Sequence, residues 1–317
     1  SIIIYLKEFD VASGQIIIKL KKENPKKEHE VIIIDDKKNT FIKTQQVIWN
    51  KPDDEYKFRF SFSSEKKSII DKLKDFSNKL SYYTLQNNNL RTNTMLLDME
   101  KKFTTNQFLD KENIFPYYQG SKSLPSKYAP LKHYKYFIYD KTLQDNINEQ
   151  LKIELARKGI KNKKRIGLGE KIIYENPKLY IRQSAKELIA SVDLNKSAAN
   201  NSLYVISFRD NSEESLAKLY SLCAFLNSNI ATFFAQETNI IRYTNGKQPQ
   251  IKITDLENII IPKDFEVMKQ IGIIAKKIYL QREQESLYCK QIDTILYEYY
   301  RLTKNEIEII ESSIINS

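Results

Sequence analysis

The side chains able to do bond chemistry are few, and their spacing is poor. Asp35-Asp36 and Asp53-Asp54 are adjacent carboxylates of the kind that metal or acid–base work uses. Both pairs sit in polar turns, where adjacent acids also occur simply as solvated charge. Cys223 and Cys289 are isolated thiols without CxxC spacing, so neither a disulfide framework nor a zinc site is expected. With only His29 and His133, a His-based metal centre or catalytic triad has almost no candidates. His133 stands among Lys132, Tyr134 and Tyr136, which suits a surface or phosphate-contacting histidine better than a metal ligand. Gly167-Leu168-Gly169 could form a backbone anion nest for a phosphate. It lacks the third glycine and the strand-to-helix setting of a dinucleotide fingerprint. The chain has 7 glycines in 317 residues, well below the usual ~7%. No serine or cysteine has a candidate base. The expectation is a chain with no catalytic residues of its own.

Binding chemistry is better supplied. Lys and Arg outnumber Asp and Glu by 51 to 40, a net charge of +11, with an isoelectric point near 9.2. Such a balance suits a polyanionic partner, nucleic acid first and an anionic membrane surface second. The abundance of Ile, Lys and Asn is also what AT-rich coding DNA produces, so net charge alone does not decide. Clustering does. From Lys152 to Glu187 there are eleven basic and four acidic residues, 11 − 4 = +7. Each phosphate neutralised by such residues releases counterions, which gives a strongly salt-dependent affinity. Lys161, Lys163, Lys164 and Arg165, with Lys171 and Arg182 in the same segment, are the expected phosphate contacts. The loop from Arg242 to Gln250 differs in character. Arg242, Asn245, Lys247, Gln248 and Gln250 are types that hydrogen-bond base edges in the major groove, and Tyr243 adds an apolar or stacking surface. Lys122, Lys127 and Lys132 are weaker candidates for backbone contacts.

These residues need a scaffold. The runs 2–6, 15–20 and 31–35 read as buried strands, the first two as a hairpin around Ser13-Gly14. Phe58, Phe60 and Phe62 alternate as in an extended segment, and a helical pattern runs from Ser64 to Leu80. Tyr136 to Tyr139, Leu179 to Arg182, Leu203 to Ile206 and Ile259 to Pro262 read as strands. Helices are expected over Asp145 to Arg157, ending at Gly159, and over Leu216 to Phe234, interrupted at Asn227-Ser228-Asn229. From Asp264 onward the pattern is helical, with Thr303 and Glu306 forming a capping box. No apolar run approaches the ~18–20 residues of a membrane span. The first six residues lack the basic leader and cleavage site of a signal peptide. A chain that starts without Met and enters a strand at once is expected to be a piece of a longer, cytoplasmic protein. The fold class expected is α+β, a mixed-sheet unit with a helical C-terminus.

Several of these segments, in order, resemble one family. Ile172 to Arg182 is similar to the "KPKIIIRR" strand of the TaqI-like C-terminal specificity domain, and Leu203 to Ile206 to its next strand. That domain belongs to adenine-N6 DNA methyltransferases and single-chain restriction–modification enzymes. Leu222 to Phe234 resembles its "LLAILNSKLxxFYF" helix, and Ile251 to Pro262 its "LPIP" ending. Leu296 to Ile307 is similar to the closing "VYxLYGLTxEEI" helix, with Arg301 where Gly is common. Ser1 to Leu20 resembles the last strands of the methyltransferase domain. The family's glycine-containing turn after Leu80 is absent.

The resemblance implies that residues 1–50 are the trailing strands of a methyltransferase domain with its linker. Residues 51–262 would be the DNA target-recognition domain, and 263–317 its C-terminal helices. Family enzymes hold a flipped adenine with an Asn/Asp-Pro-Pro-Tyr/Phe motif and bind S-adenosylmethionine through a Gly-containing loop. Neither motif occurs here, since Asn176-Pro177 is followed by Lys178. The implied parent would be an adenine-specific DNA methyltransferase using S-adenosylmethionine, with Mg2+ as well if it carries a nuclease. The implied partners of this chain are double-stranded DNA and the methyltransferase domain, with no membrane. The rival readings are the specificity subunit of a type I restriction–modification system and a non-catalytic basic interaction module.

Overall fold

The computed structural model describes residues 2–6, 15–19, 23, 26, 28–35, 40–46, 64–84, 100–108, 112–159, 166–242 and 248–315. The Ile-rich N-terminal runs pair as one four-stranded sheet of β1 (Ile2–Leu6), β2 (Gln15–Lys19), β3 (Glu30–Asp35) and β4 (Thr40–Gln45), ordered β2-β1-β3-β4. β1 and β2 form the expected antiparallel hairpin, and β1 runs parallel to β3. The Phe58–Phe62 alternation lies outside the described residues. The helical pattern from Ser64 stops early. It gives α1 (Ser64–Asp75), after which β5 (Ser77–Lys79) and α2 (Leu80–Thr84) follow. β5 is extended because it pairs with a strand almost two hundred residues away, a partner that helical spacing cannot reveal.

Next come β6 (Thr104–Thr105), β7 (Ile114–Tyr118), α3 (Gly120–Ser123) and β8 (Lys135–Ile138). α4 (Lys141–Arg157) starts four residues before the expected Asp145, because Asp140 caps it by accepting from the Leu143 amide at 2.9 Å. α5 (Lys171–Glu175), β9 (Lys178–Arg182), β10 (Ala190–Asp193), β11 (Ala198–Ala199) and β12 (Leu203–Ser207) follow. The helical pair α6 (Glu213–Leu226) and α7 (Asn229–Glu237) breaks at the predicted Asn-Ser-Asn, where Ser228 caps α7 through the Ala231 amide. Then come β13 (Ile241–Arg242), β14 (Gln250–Ile251), α8 (Ile253–Leu256) and β15 (Ile260–Pro262). The C-terminal part is α9 (Phe265–Leu280), α10 (Glu285–Tyr299) and α11 (Lys304–Ile315). This is the α+β class expected, with small mixed sheets and a helical C-terminus. Among the described residues no helix is long and apolar enough to cross a membrane.

The antiparallel sheet β10-β9-β12 is buried on both faces. Successive side chains on a strand point to opposite faces. Leu179, Ile181, Tyr204 and Ile206 join one core with α6, α7 and the C-terminal helices, a cluster running from Ile69 to Ile310. Tyr180, Leu203 and Val205 join a second core with β7, β8 and Tyr174. Burial on both sides explains why β9 and β12 read as apolar runs.

Close helix packing closes the first core. Gly272 of α9 lies so near α6 that a Cβ there would come within 3.0 Å of the Ser221 amide nitrogen. Past α10 the chain turns at Arg301, which has φ 53°. The left-handed region favours glycine, and Arg301 stands where the resembling family commonly has one. Its guanidinium lies 5.4 Å from the centre of the Phe76 ring. Thr303 and Glu306 form the capping box as expected, each accepting from the other's amide, at 3.3 and 2.8 Å.

One buried cation sits in the wall between the cores. Lys178 is 0% exposed and donates to the Tyr174 carbonyl at 3.1 Å, the Asn195 carbonyl at 3.2 Å and Ser197 Oγ at 3.3 Å. Ser197 in turn donates to Asp193 at 2.6 Å, and Asp193 pairs with Lys178 in the β9–β10 register. Burial pushes the Lys178 ammonium down to about 8, against the pull of Asp193. Between about pH 8 and the ordinary 10.5, the unfolded chain holds a proton here that the folded chain has lost. Deprotonation therefore favours the fold, and stability rises with pH across that window. Urea unfolding of the wild type and of Lys178→Met at pH 7.5 to 9.5 checks this. The wild type should gain on the order of 1 kcal/mol per pH unit relative to the variant inside the window.

Candidate functional site

β13 and β14 form the base of a hairpin whose connection carries the expected reading loop. Ile241 faces Ile251 and Arg242 faces Gln250. The isoleucines are buried, whereas Arg242 and Gln250 are exposed side by side. Period-2 alternation thus sends the apolar pair into the first core and the hydrogen-bonding pair outward. The base is tethered to the end of β9. Ile251 donates its amide to the Gln183 carbonyl at 2.9 Å, and the Tyr204 hydroxyl donates to the Ile251 carbonyl at 2.8 Å. Gln183 Nε2 donates to that same hydroxyl at 3.3 Å. Gln183 directly follows Arg182, so the hairpin base joins the wall at the Arg182 end of β9.

The individual side chains are held differently. Arg182 is half-buried and donates to the Ser184 carbonyl at 2.8 Å. Arg242 Nη2 lies 2.7 Å from Asp255 Oδ2, an ion pair without an aligned hydrogen bond. Gln248 is exposed, while Tyr243, Asn245 and Lys247 lie outside the described residues. Lys171 sits before β9, at the far end from Arg182, and is engaged by Glu112 at 2.9 Å and Glu175 at 3.4 Å. Its hydrogen bond to Glu112 holds the ammonium above its usual range. Lys161, Lys163, Lys164 and Arg165 also lie outside the described residues. Their flanks are pinned: α4 is followed by Gly159 at φ 63°, and Asn148 brackets Ile166 with two hydrogen bonds of 2.7 and 3.0 Å. Of the weaker candidates, Lys127 is paired with Glu187 at 2.6 Å.

The reactive-looking residues find structural uses. In Gly167-Leu168-Gly169 the Leu168 amide donates to Gln144 Oε1 at 2.8 Å, and the Leu168 carbonyl accepts from Tyr174. The Gly169 carbonyl accepts from the Tyr139 hydroxyl at 3.1 Å. The central amide of this turn is thus committed within the fold. Burial pushes Cys223 up to about 12 and Cys289 to about 11, so neither is a ready thiolate. Among the described residues no group of three His, Cys, Asp or Glu could hold a metal.

A cleft of about 620 Å³ opens between α6 and α9, lined by residues that include Phe208, Leu222, Met268, Asp210 and Asp264. Asp210 accepts from Ser212 and Ser215, bonds that hold its carboxyl down at about 2, and Asp264 caps α9. These acids serve helix ends. The anchoring residues Gln183 and Tyr204 are new to the site. Tyr204 in an apolar run reads as plain core, and only the tertiary hydrogen bonds mark it.

Residues 116–261 match the model of the TaqI-like C-terminal specificity domain, a span that includes the wall, α6, α7 and the hairpin. No curated protein sequence matches the chain. Among solved structures, the type IIL restriction–modification enzyme MmeI in complex with DNA is similar at 9% identity and a TM-score of 0.49, over 99% of this chain and 45% of that one. The HsdS subunit from Thermoanaerobacter tengcongensis is similar at 12% identity and a TM-score of 0.34, over 75% of this chain and 51% of that one. The chain therefore spans about half the length of either.

Removing the anchor should loosen the hairpin without unfolding the wall. Tyr204→Phe is expected to cost about 1 kcal/mol in urea unfolding. It should also speed amide exchange at Ile251 more than at Val205.

Proposed function

We propose that this chain, whose residues 116–261 carry a TaqI-like C-terminal specificity domain, reads a short duplex DNA site for a restriction–modification enzyme. The observation that carries the reading is that match, over the same span in which Arg242 and Gln250 stand exposed on a hairpin tied to the wall. A base reader must be held to within a fraction of an ångström, and a rigid element does this better than a free loop. Arg and Gln at such a place suit bidentate contacts to guanine and adenine edges.

The division of labour follows from side-chain chemistry. The basic run Lys161–Arg165 is charge-rich and uniform, which suits phosphates, and Arg182 adds a cation beside the hairpin. Gln248 and Gln250, with Arg242, Tyr243, Asn245 and Lys247, offer varied donors and acceptors for bases. Methyl transfer to adenine, S-adenosylmethionine and any Mg2+-dependent cleavage fall to a linked catalytic domain in this reading. The sheet β2-β1-β3-β4 is the trailing part of that domain.

Anisotropy with duplex DNA from 50 to 200 mM salt tests the proposal. With four phosphates neutralised, affinity should weaken about a hundredfold over that range. A flat response, or no binding at 50 mM, would sink it. Lys163→Ala or Lys164→Ala should weaken all sequences alike and lower the salt slope by about one unit. Lys247→Ala or Gln248→Ala should cost about 1–3 kcal/mol on the cognate site only, as measured by selection from random duplexes.

A further inference from the structure

Among the described residues, the sheet of the second core is partly exposed around Tyr136 on the face turned away from that core. On β8, Phe137 turns into the core, so Tyr136 faces the opposite way, between Thr105 of β6 and Pro116 of β7 in the register. Thr105, Tyr136 and Pro116 are all partly exposed. Two more aromatic rings gather on Tyr136. Phe108 packs at 5.5 Å between ring centres, and His133 at 5.0 Å with its Nε2 3.2 Å from the Tyr136 hydroxyl. Phe108 is nevertheless 68% exposed and Tyr134, beside His133, 61%. An exposed phenylalanine propped on a tyrosine gains little in a solitary chain.

The border of this face is basic. The Lys132 amide donates to the Ser123 carbonyl at 3.1 Å, and the Tyr134 hydroxyl to the Lys122 carbonyl at 3.4 Å. These bonds bring Lys122 and Lys132 together beside His133 and Tyr134. Among the described residues no ion pair engages either of them, in contrast to Lys127 and Lys171. Interfaces with proteins are depleted in lysine, whereas unpaired lysines interleaved with aromatic rings suit a nucleic-acid backbone and its sugars and bases.

We infer that the Phe108–Tyr136–His133 face, bordered by Lys122 and Lys132, is a second contact surface for duplex DNA, separate from the β13–β14 hairpin. The inference rests on the DNA-recognition reading above and adds where a further part of the duplex would lie. The lysines take phosphates, and the propped Phe108 ring packs against a deoxyribose or a base edge.

The test is anisotropy of the full chain with short random-sequence duplexes from 50 to 200 mM salt. Phe108→Ala should weaken binding about tenfold at every salt concentration with the slope unchanged, because it removes an apolar contact. The exposed double variant Lys122→Gln/Lys132→Gln should instead lower the salt slope by about two units. Thermal unfolding of both variants should match the wild type. Unchanged binding in both variants beside a binding wild type would overturn this inference alone and give the face to a protein partner. No binding by the unaltered chain would overturn the DNA-recognition reading as well.

Discussion

Strand β9 has to satisfy two interiors at once, and the rest of the chain is arranged around that demand. Its odd positions, Leu179 and Ile181, belong to the core that α6, α7 and α9 complete. Its even position Tyr180 belongs to the core that β7, β8 and α4 complete. β12 repeats the division with Tyr204 and Ile206 on one side and Leu203 and Val205 on the other. Each aliphatic side chain buried this way contributes roughly 1.5–3 kcal/mol of transfer free energy. A sheet three strands wide can therefore hold both layers only because neither face is given to water.

This double-sided wall fixes where the hairpin projects. Gln183, at the end of β9, and Tyr204, on β12, are wall residues, and between them they bind both backbone groups of Ile251. The partly exposed face of β8 belongs to the sheet of the second core and turns away from that core. The hairpin is thus set by the β10-β9-β12 wall, and the β8 face by the separate sheet β11-β7-β8-β6.

Much of this was legible from local pattern. The capping box at Thr303 and Glu306, the break at Ser228 and the start of α9 after Asp264 are all decided within four residues, and all stand where spacing put them. β10 was not legible. Ser191 and Asp193 break its apolar character, and their partners Ala129, Tyr279 and Ser197 come mostly from far along the chain. Summed charge was a coarse guide as well. Of the eleven basic residues between Lys152 and Glu187, Lys158 is paired with Glu154, Lys171 with Glu112, and Lys178 is buried. The +7 of that segment overstates what a phosphate could meet. Sequence gives the number of charges, and only the fold tells which are already answered.

A strand lined with apolar residues on both sides has no hydrophobic reason to prefer one alignment over its neighbour. Shifting β9 by one place would exchange its two faces and still bury leucine, isoleucine and tyrosine. Lys178 breaks that degeneracy. In the observed alignment its ammonium reaches Tyr174, Asn195 and Ser197, with Asp193 opposite it across the ladder. One step away it would point among the aliphatic side chains of the other core, a charge with no acceptor, where desolvation costs several kcal/mol. The least apolar residue of the wall is thus the one that tells the strand where to stop sliding.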